Sequence, residues 1–335
     1  IRLSLVGSEM CIRDRYIGGL AIGAISVTFP ISFLFSSIGM SIGIGGGSIV
    51  SRALGSDQKD RAQLAFNNQI MLTLILAFLV ISIGVFLKYP ILDLFGAKDG
   101  FMPLADTYFS IVLIGIPFLA LSMMANNNLR AEGKAKVSMI VLLIPSFVNV
   151  ILDYVFIDLF EWGMSGAGWA TTISHLGCAA FIIYFYVMGK GELKVIPILF
   201  KLKKDIVGET FKIGSVNLVR QGTISLIAIL LNNTLYFYGS QTGGIGGEVA
   251  ISVYGLATRM AMFALFPLIG IAQGFMPIAG YNYGANHFER VKSVINVSLI
   301  AGLAVSIVIT AILLFSSNYI PVSYTHLRAH ETKAN

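Results

Sequence analysis

The sequence predicts an all-α polytopic membrane protein, two six-helix lobes related by a parallel repeat, with about eight of the twelve helices in this chain. Three observations carry that expectation: composition, the spacing of the apolar stretches, and internal self-similarity. Of 335 residues, 56% are hydrophobic and only 12% charged, about half the charged share of a typical soluble domain. Mean hydropathy is +0.81. A soluble fold would have to cover its surface with polar side chains that this chain lacks. Two cysteines exclude a disulfide framework and a Cys-rich metal site. The net charge of +6 gathers in short loops between apolar stretches, where it reports topology rather than nucleic-acid binding.

The ends do not resemble the middle. Residues Leu3 to Arg15 (LSLVGSEMCIRDR) and Pro321 to Asn335 (PVSYTHLRAHETKAN) break the apolar pattern abruptly. Both look like translated adapter read-through, and the first lacks the apolar run of a secretory signal. The expectation is therefore an artefact tail at 1–15 and another at 321–335, on a fragment with neither true terminus. The first lobe occupies 16–190 with five of its six helices, a cytoplasmic inter-lobe loop 191–209, and the second lobe 210–320 with three of six.

Stretches long enough to cross a bilayer, about 20 residues each, fall at 21–53, 66–88, 101–128, 136–159, 163–188, 210–238, 247–272 and 288–318. The first is too long for one straight span, and Pro30 or the glycines after it are expected to kink it. Gly39, Gly43, Gly47 and Gly55 with Ser51 make a small-residue stripe at spacing four, the pattern of close helix packing. A phosphate-cradling loop is the rival, but G-I-G-G-G-S lacks the lysine and the preceding strand that such a loop needs.

Loops after the first, third, fifth and seventh spans carry fourteen Lys and Arg with their flanks, whereas the alternate loops carry only Lys88 and Lys98. The excess predicts that the first set faces the cytoplasm. At a fixed offset of 229 residues, Gly18, Gly45, Gly55, Arg61 and Asn67 match Gly247, Gly274, Gly284, Arg290 and Asn296, and the loop ends LGSDQKDRAQ and YGANHFERVK align. An even number of spans separates the copies, so both point the same way across the membrane. The same arithmetic expects one further helix upstream and three downstream.

The motifs, in order, are FP-x3-L followed by G-x-G and SRALGSDQKDRA (Phe29 to Ala62), NNLRAEGKAKVSM (Asn127 to Met139), NVILDYVFI (Asn149 to Ile157), GMSGAGWATTIS (Gly163 to Ser174) and QGFMPIAGYNYGA (Gln273 to Ala285). Together they resemble the multidrug and toxic compound extrusion (MATE) family over Tyr16 to Ile320. The resemblance implies a proton- or sodium-coupled antiporter that exports organic cations or other amphipathic compounds by alternating access of the two lobes. It implies no cofactor beyond the coupling ion, a small-molecule substrate, no nucleic-acid partner, a monomer, and a multi-pass place in a bacterial plasma membrane.

Asp153 is the acidic residue most plainly inside a span. An ionised carboxylate there costs roughly 2.5–3.5 kcal/mol on insertion scales, so it is expected to face protein or water. Asn149 lies four residues earlier on the same helical face. At 1.5 Å per residue, Asp153 is roughly 9 Å, Asn149 about 15 Å and Thr171 roughly 12 Å from the outer end of its span, a shared depth. Carboxylate, amide oxygen and hydroxyl are hard donors suited to sodium, and burial penalises the charged carboxylate, which also suits a proton carrier. By resemblance the three match the family's cation site in the first lobe, whose remaining acid belongs to a preceding helix. The plainer alternative is that Asp153 caps a helix end at the outer interface. Pro145 removes one backbone hydrogen bond, freeing a carbonyl near the site and permitting a kink.

In the sixth span Asn217, Arg220 and Gln221 are polar at lipid depth, and Asn232 and Asn233 lie nearer the outside. Arg220 either lines the cavity between the lobes or snorkels to the cytoplasmic end. Arg259, Gln273 and Asn282 in the seventh span either line that cavity or bond between helices. Among other functions, a flippase for a lipid-linked saccharide is the nearer alternative, and an arginine-rich cavity would favour it. An intramembrane serine protease fails on geometry: Ser165 of G-M-S-G has His175 ten residues along its own helix, roughly 15 Å away.

Overall fold

A segment crossing hydrocarbon must close its backbone hydrogen bonds on itself, so these apolar stretches have one local solution, the helix. The computed structural model describes residues 19–97, 102–196, 202–241 and 247–316. Among them the chain is helix joined by short links: α1 (Gly19–Gly55), α2 (Lys59–Phe86), α3 (Lys88–Leu94), α4 (Met102–Ala131), α5 (Ala135–Asp153), α6 (Gly163–Val187), α7 (Lys204–Gln241), α8 (Gly247–Gly284) and α9 (Phe288–Ser316). A π-helical turn, Tyr154–Leu159, continues α5. Seven of these helices are long and apolar enough to cross a membrane, and α8 is a 38-residue helix over the remaining predicted span. Both sequence tails lie outside the described residues.

The helices outrun the apolar stretches at the end that carries the basic loops. α2 and α7 begin at Lys59 and Lys204 rather than at 66 and 210, with Asp60 and Asp205 in their first turns. Those carboxylates favour a helix N-terminus, so the polar turns stay helical beyond the hydrocarbon. α1 runs 37 residues through Pro30 as one uninterrupted helix, about 55 Å long.

The two aligned loop ends close alike, in the kind of turn that also ends α3, α4 and α6. Leaving α1, Ser56 N–H bonds to Arg52 O, Asp57 N–H to Leu54 O and Gln58 N–H to Ala53 O; leaving α8, Ala285, Asn286 and His287 bond in turn to Tyr281, Tyr283 and Asn282, each pair displaced by the same 229 positions. Asp57 and Asn286, equivalent residues, both take a left-handed backbone, at φ 58° and 60°, the conformation that Asp and Asn tolerate best after glycine. By the 229-residue offset α1 with α2 is one copy of a unit and α8 with α9 the other.

α1 is the hub, packed on α4, α7, α8 and α2. Its small-residue stripe works as expected: Gly39 lies against the Ala120 backbone, Gly43 against Met124 and Gly47 against Asn127, all on α4. Other glycines meet the second lobe. Gly45 abuts Thr210 O of α7, and Gly214 of α7 abuts Ser41 O. At the loop end Gly55 lies on Tyr281 of α8, while Gly284 lies on Arg52 of α1. Because 55 pairs with 284 and 52 with 281 in the repeat, this crossing is self-reciprocal, as at a two-fold axis.

Two apolar clusters fill the first lobe, one around Phe66, Leu129 and Tyr186 towards the basic-loop end, the other around Phe109, Leu92 and Phe95. More than half of the apolar window of α4 is buried and none of that of α9. The latter presents Val297, Leu299, Ile300 and Leu303 outward.

Candidate functional site

The site is built by the α5–α6 hairpin. Asn149 and Asp153 stand one turn apart on α5, and Thr171 stands on the returning α6. Asp153 is fully buried and Asn149 nearly so, at 0% and 8% exposure. Asn149 Nδ2 donates to Thr171 Oγ1 at 3.5 Å, and the Thr171 hydroxyl donates to Ala167 O at 2.9 Å within its own helix. Asn149 and Thr171 therefore sit at one height, as helix arithmetic predicts. A carboxyl capping an exposed helix end would keep contact with water, which Asp153 does not.

Asp153 is the last residue of regular α-helix before the π turn. That turn ends with Phe160 N–H on Val155 O at 3.0 Å and Trp162 N–H on Phe156 O at 2.9 Å. Phe156 stacks on Trp162 with centroids 5.0 Å apart, and Gly166 of α6 lies against its backbone, where an added Cβ would come within 3.0 Å. The widened turn lets α5 change register directly above the buried carboxyl. Such π insertions are a recurrent way of aiming a side chain at a functional site. No residue pattern in Tyr154 to Leu159 announces it.

Pro145 acts elsewhere than expected. The carbonyl it frees is that of Val141, two turns of α5 away from Asn149, and the Cys178 thiol of α6 donates to it at 3.1 Å. Proline leaves position i−4 without its donor; here a neighbouring helix supplies one, so that oxygen is not available to the site.

The polar residues of α7 face the first lobe. Asn217 is buried and donates to Ser41 Oγ of α1 at 2.9 Å. Gln221 is buried one turn on. Arg220 is exposed and donates to Asn217 Oδ1 at 2.9 Å. Asn232 and Asn233 donate to Phe95 O and Leu94 O at 3.3 and 3.1 Å, covering the orphan carbonyls that end α3. The side chain of Arg259 lies outside the described residues. Gln273 of α8 borders a cavity of about 20 Å³ with Arg130, Asn127 and Ser51, room for about one water.

Sequence reasoning missed the ionic contact between lobes. Glu209 of α7 accepts from Arg52 Nη2 at 2.8 Å and from Arg61 Nη2 at 3.1 Å. In the sequence both arginines counted towards topology and the family motif, and Arg61 towards the repeat, but nothing in their spacing names a partner some 150 residues away.

Helical units related by the repeat and crossing at a pseudo-two-fold axis, with a buried carboxyl inside one lobe, define a polytopic two-lobe helical membrane fold. The MatE family model matches residues 10–155 and 225–329, and the chain belongs to that family. The matched stretches reach into 10–15 and 321–329 at either end. The multidrug export protein MepA of Staphylococcus aureus is 28% identical over 295 residues, 88% of this chain and 63% of that protein. MepA of Staphylococcus saprophyticus is 27% identical over 298 residues, 89% and 64%. The chain thus spans just under two thirds of the length of these relatives. Among solved structures, a ligand complex of the MATE multidrug transporter DinF-BH superposes with a TM-score of 0.89 at 29% identity, over 97% of this chain and 71% of that one. An outward-facing multidrug resistance MATE family transporter of the MOP superfamily gives 0.81 at 23% identity over 96% and 70%, which attests the fold.

Proposed function

We propose that this chain carries the first lobe and part of the second of a cation-coupled antiporter exporting amphipathic or cationic small molecules by alternating access. The observation that carries the reading is the fully buried Asp153 beside Asn149 and Thr171. An acid in hydrocarbon is costly and is kept where an ion or proton uses it. Asp153 carries the coupling charge; the Asn149 amide and the Thr171 hydroxyl supply neutral oxygens. A sodium ion fits that donor set, since hard cations take carboxylate, carbonyl and hydroxyl oxygens, and a proton needs only the carboxyl. Family membership supports drug export, and the relatives named above are multidrug export proteins. Basic loops on one face support a plasma-membrane orientation with that face in the cytoplasm.

The test is dye efflux from an efflux-deficient host expressing the gene, with the fluorescent organic cation ethidium as probe and a sodium or proton gradient as drive. Asp153→Asn should abolish gradient-driven efflux while leaving the protein in the membrane. Undiminished efflux in that variant sinks the proposal.

A further inference from the structure

The segment leaving α6 is neither helix nor strand, and such a backbone must find partners for its N–H groups. It finds them on the first lobe. Glu192 and Leu193 N–H donate to Glu132 Oε2 at 2.8 and 3.4 Å. Lys194 N–H donates to Gln63 Oε1 at 2.9 Å, and Gln63 Nε2 donates back to Lys194 O. Asn67 Nδ2 reaches the same carbonyl at 3.4 Å, and Ile196 N–H donates to Asn67 Oδ1 at 3.0 Å. Lys203 N–H, at the start of α7, donates to Asn68 Oδ1 at 2.7 Å.

Gln63 and Asn67 are one turn apart on α2, so their carboxamides line up along the segment as a neighbouring strand would. Gln63 pairs with both main-chain groups of one residue, a pattern that reads backbone and ignores side chain. Glu132 is buried and held on its other oxygen by the Tyr186 hydroxyl at 2.8 Å. Gly191 permits the approach: a Cβ there would stand 2.9 Å from Glu132 Oε2 and 3.1 Å from Tyr186 Cε1. Leu193 is buried in the core cluster of Phe66 and Leu129.

We infer that residues 191–196 form a strap belonging to the first lobe, with Glu132, Gln63 and Asn67 as a clamp that reads its main chain. The connection between lobes is then not a free tether from the end of α6, and because Lys203 N–H is also held by Asn68 of α2, any pivot between them starts beyond Lys203. The pivot clause rests on the two-lobe transport reading above; the strap does not.

Hydrogen exchange of the full chain in lipid nanodiscs, read by mass spectrometry, tests this without any transport. In the wild-type chain the amides of 192–194 and 196 should exchange at least about tenfold more slowly than in unstructured peptide. Gln63→Ala combined with Asn67→Ala should remove protection at 194 and 196. Should that lobe variant misfold, Lys194→Pro, which deletes that donor and changes no residue of α2 or α4, should release the amide of 196, whereas Lys194→Ala should leave 194 and 196 protected. Exchange at the unstructured rate in the wild-type chain, or equal loss in Lys194→Ala, overturns the strap. Failure of Asp153→Asn to affect efflux would leave this result untouched, so the two readings fail separately.

Discussion

The reciprocal crossing of α1 and α8 is the contact most exposed to a single-atom test. A Cβ added at Gly284 would stand 2.9 Å from the Arg52 carbonyl carbon and its Cα, and one at Gly55 would stand 2.9 Å from the Tyr281 carbonyl carbon, against the 3.4 Å of ordinary contact. Both obstacles are backbone, which cannot rotate away. The carbonyl oxygens of Arg52 and Tyr281 stand nearer still, so the helices must separate by about an ångström, and overpacking of this kind typically costs about 1–3 kcal/mol. At 1.4 kcal/mol per tenfold, the closed crossing should lose roughly fivefold to a hundredfold in population against an open one. A ruler is at hand one turn away. Ser51 Cβ and an ideal Cβ at Gly280 are 3.2 Å apart, just under the roughly 3.5–4.5 Å that a disulfide spans. With Cys11 and Cys178 replaced by serine, the pair Ser51→Cys and Gly280→Cys should cross-link rapidly under mild oxidant, keeping the fragments together after cleavage between the lobes. Adding Gly284→Ala should slow cross-linking by that factor. An unchanged rate would refute the crossing.

Three further outcomes follow from the geometry. Glu209→Gln should remove both inter-lobe ion pairs yet cost under about 1 kcal/mol, because the partners keep much of their water; the difference in thermal unfolding should shrink as salt rises, and a large salt-independent loss would contradict it. Cys178→Ala should strip the donor from Val141 O and lower stability by about 1–3 kcal/mol, whereas Cys178→Ser should recover most of it; equal melting of the two variants would remove the role given to the thiol. Burial pushes the Glu132 carboxyl up, against the opposing pull of the Tyr186 hydroxyl and two backbone N–H groups. The folded state then holds that proton more tightly than the unfolded chain, so the group's contribution to stability is full below the unfolded value of about 4.3 and is lost as pH rises through the raised one. Unfolding at stepped pH should show this slope in wild type and not in Glu132→Gln.

Much of the architecture is legible because the bilayer allows few solutions. Composition gives helices, the spacing of Gly39, Gly43 and Gly47 gives the face of α1 laid on α4, and the four-residue step from Asn149 to Asp153 gives one face of α5. The repeat is readable at Gly55 and Gly284 because each helix backbone leaves no room for a side chain there. What escaped was set by contacts between distant elements. α3 is seven residues long, too short for periodicity to show. The π turn after Asp153 depends on packing of Phe156 against Gly166, which a one-dimensional pattern does not encode. Pro145 foretold a freed carbonyl, but only the proximity of Cys178 says what covers it. Nothing in the sequence marks Gln63, Asn67 and Glu132 as a clamp, although Asn67 figures in the repeat and Glu132 in a family motif, since their partners are main-chain atoms and carry no sequence signature.

The central claim, that Asp153 with Asn149 and Thr171 binds the coupling cation, is tested most directly by infrared difference spectroscopy on the chain in lipid. Wild type should show a carboxyl band that appears or vanishes on exchanging sodium or stepping pH, absent from Asp153→Asn and altered in Asn149→Ala. A difference spectrum identical in wild type and Asp153→Asn would contradict the account, whatever the chain exports.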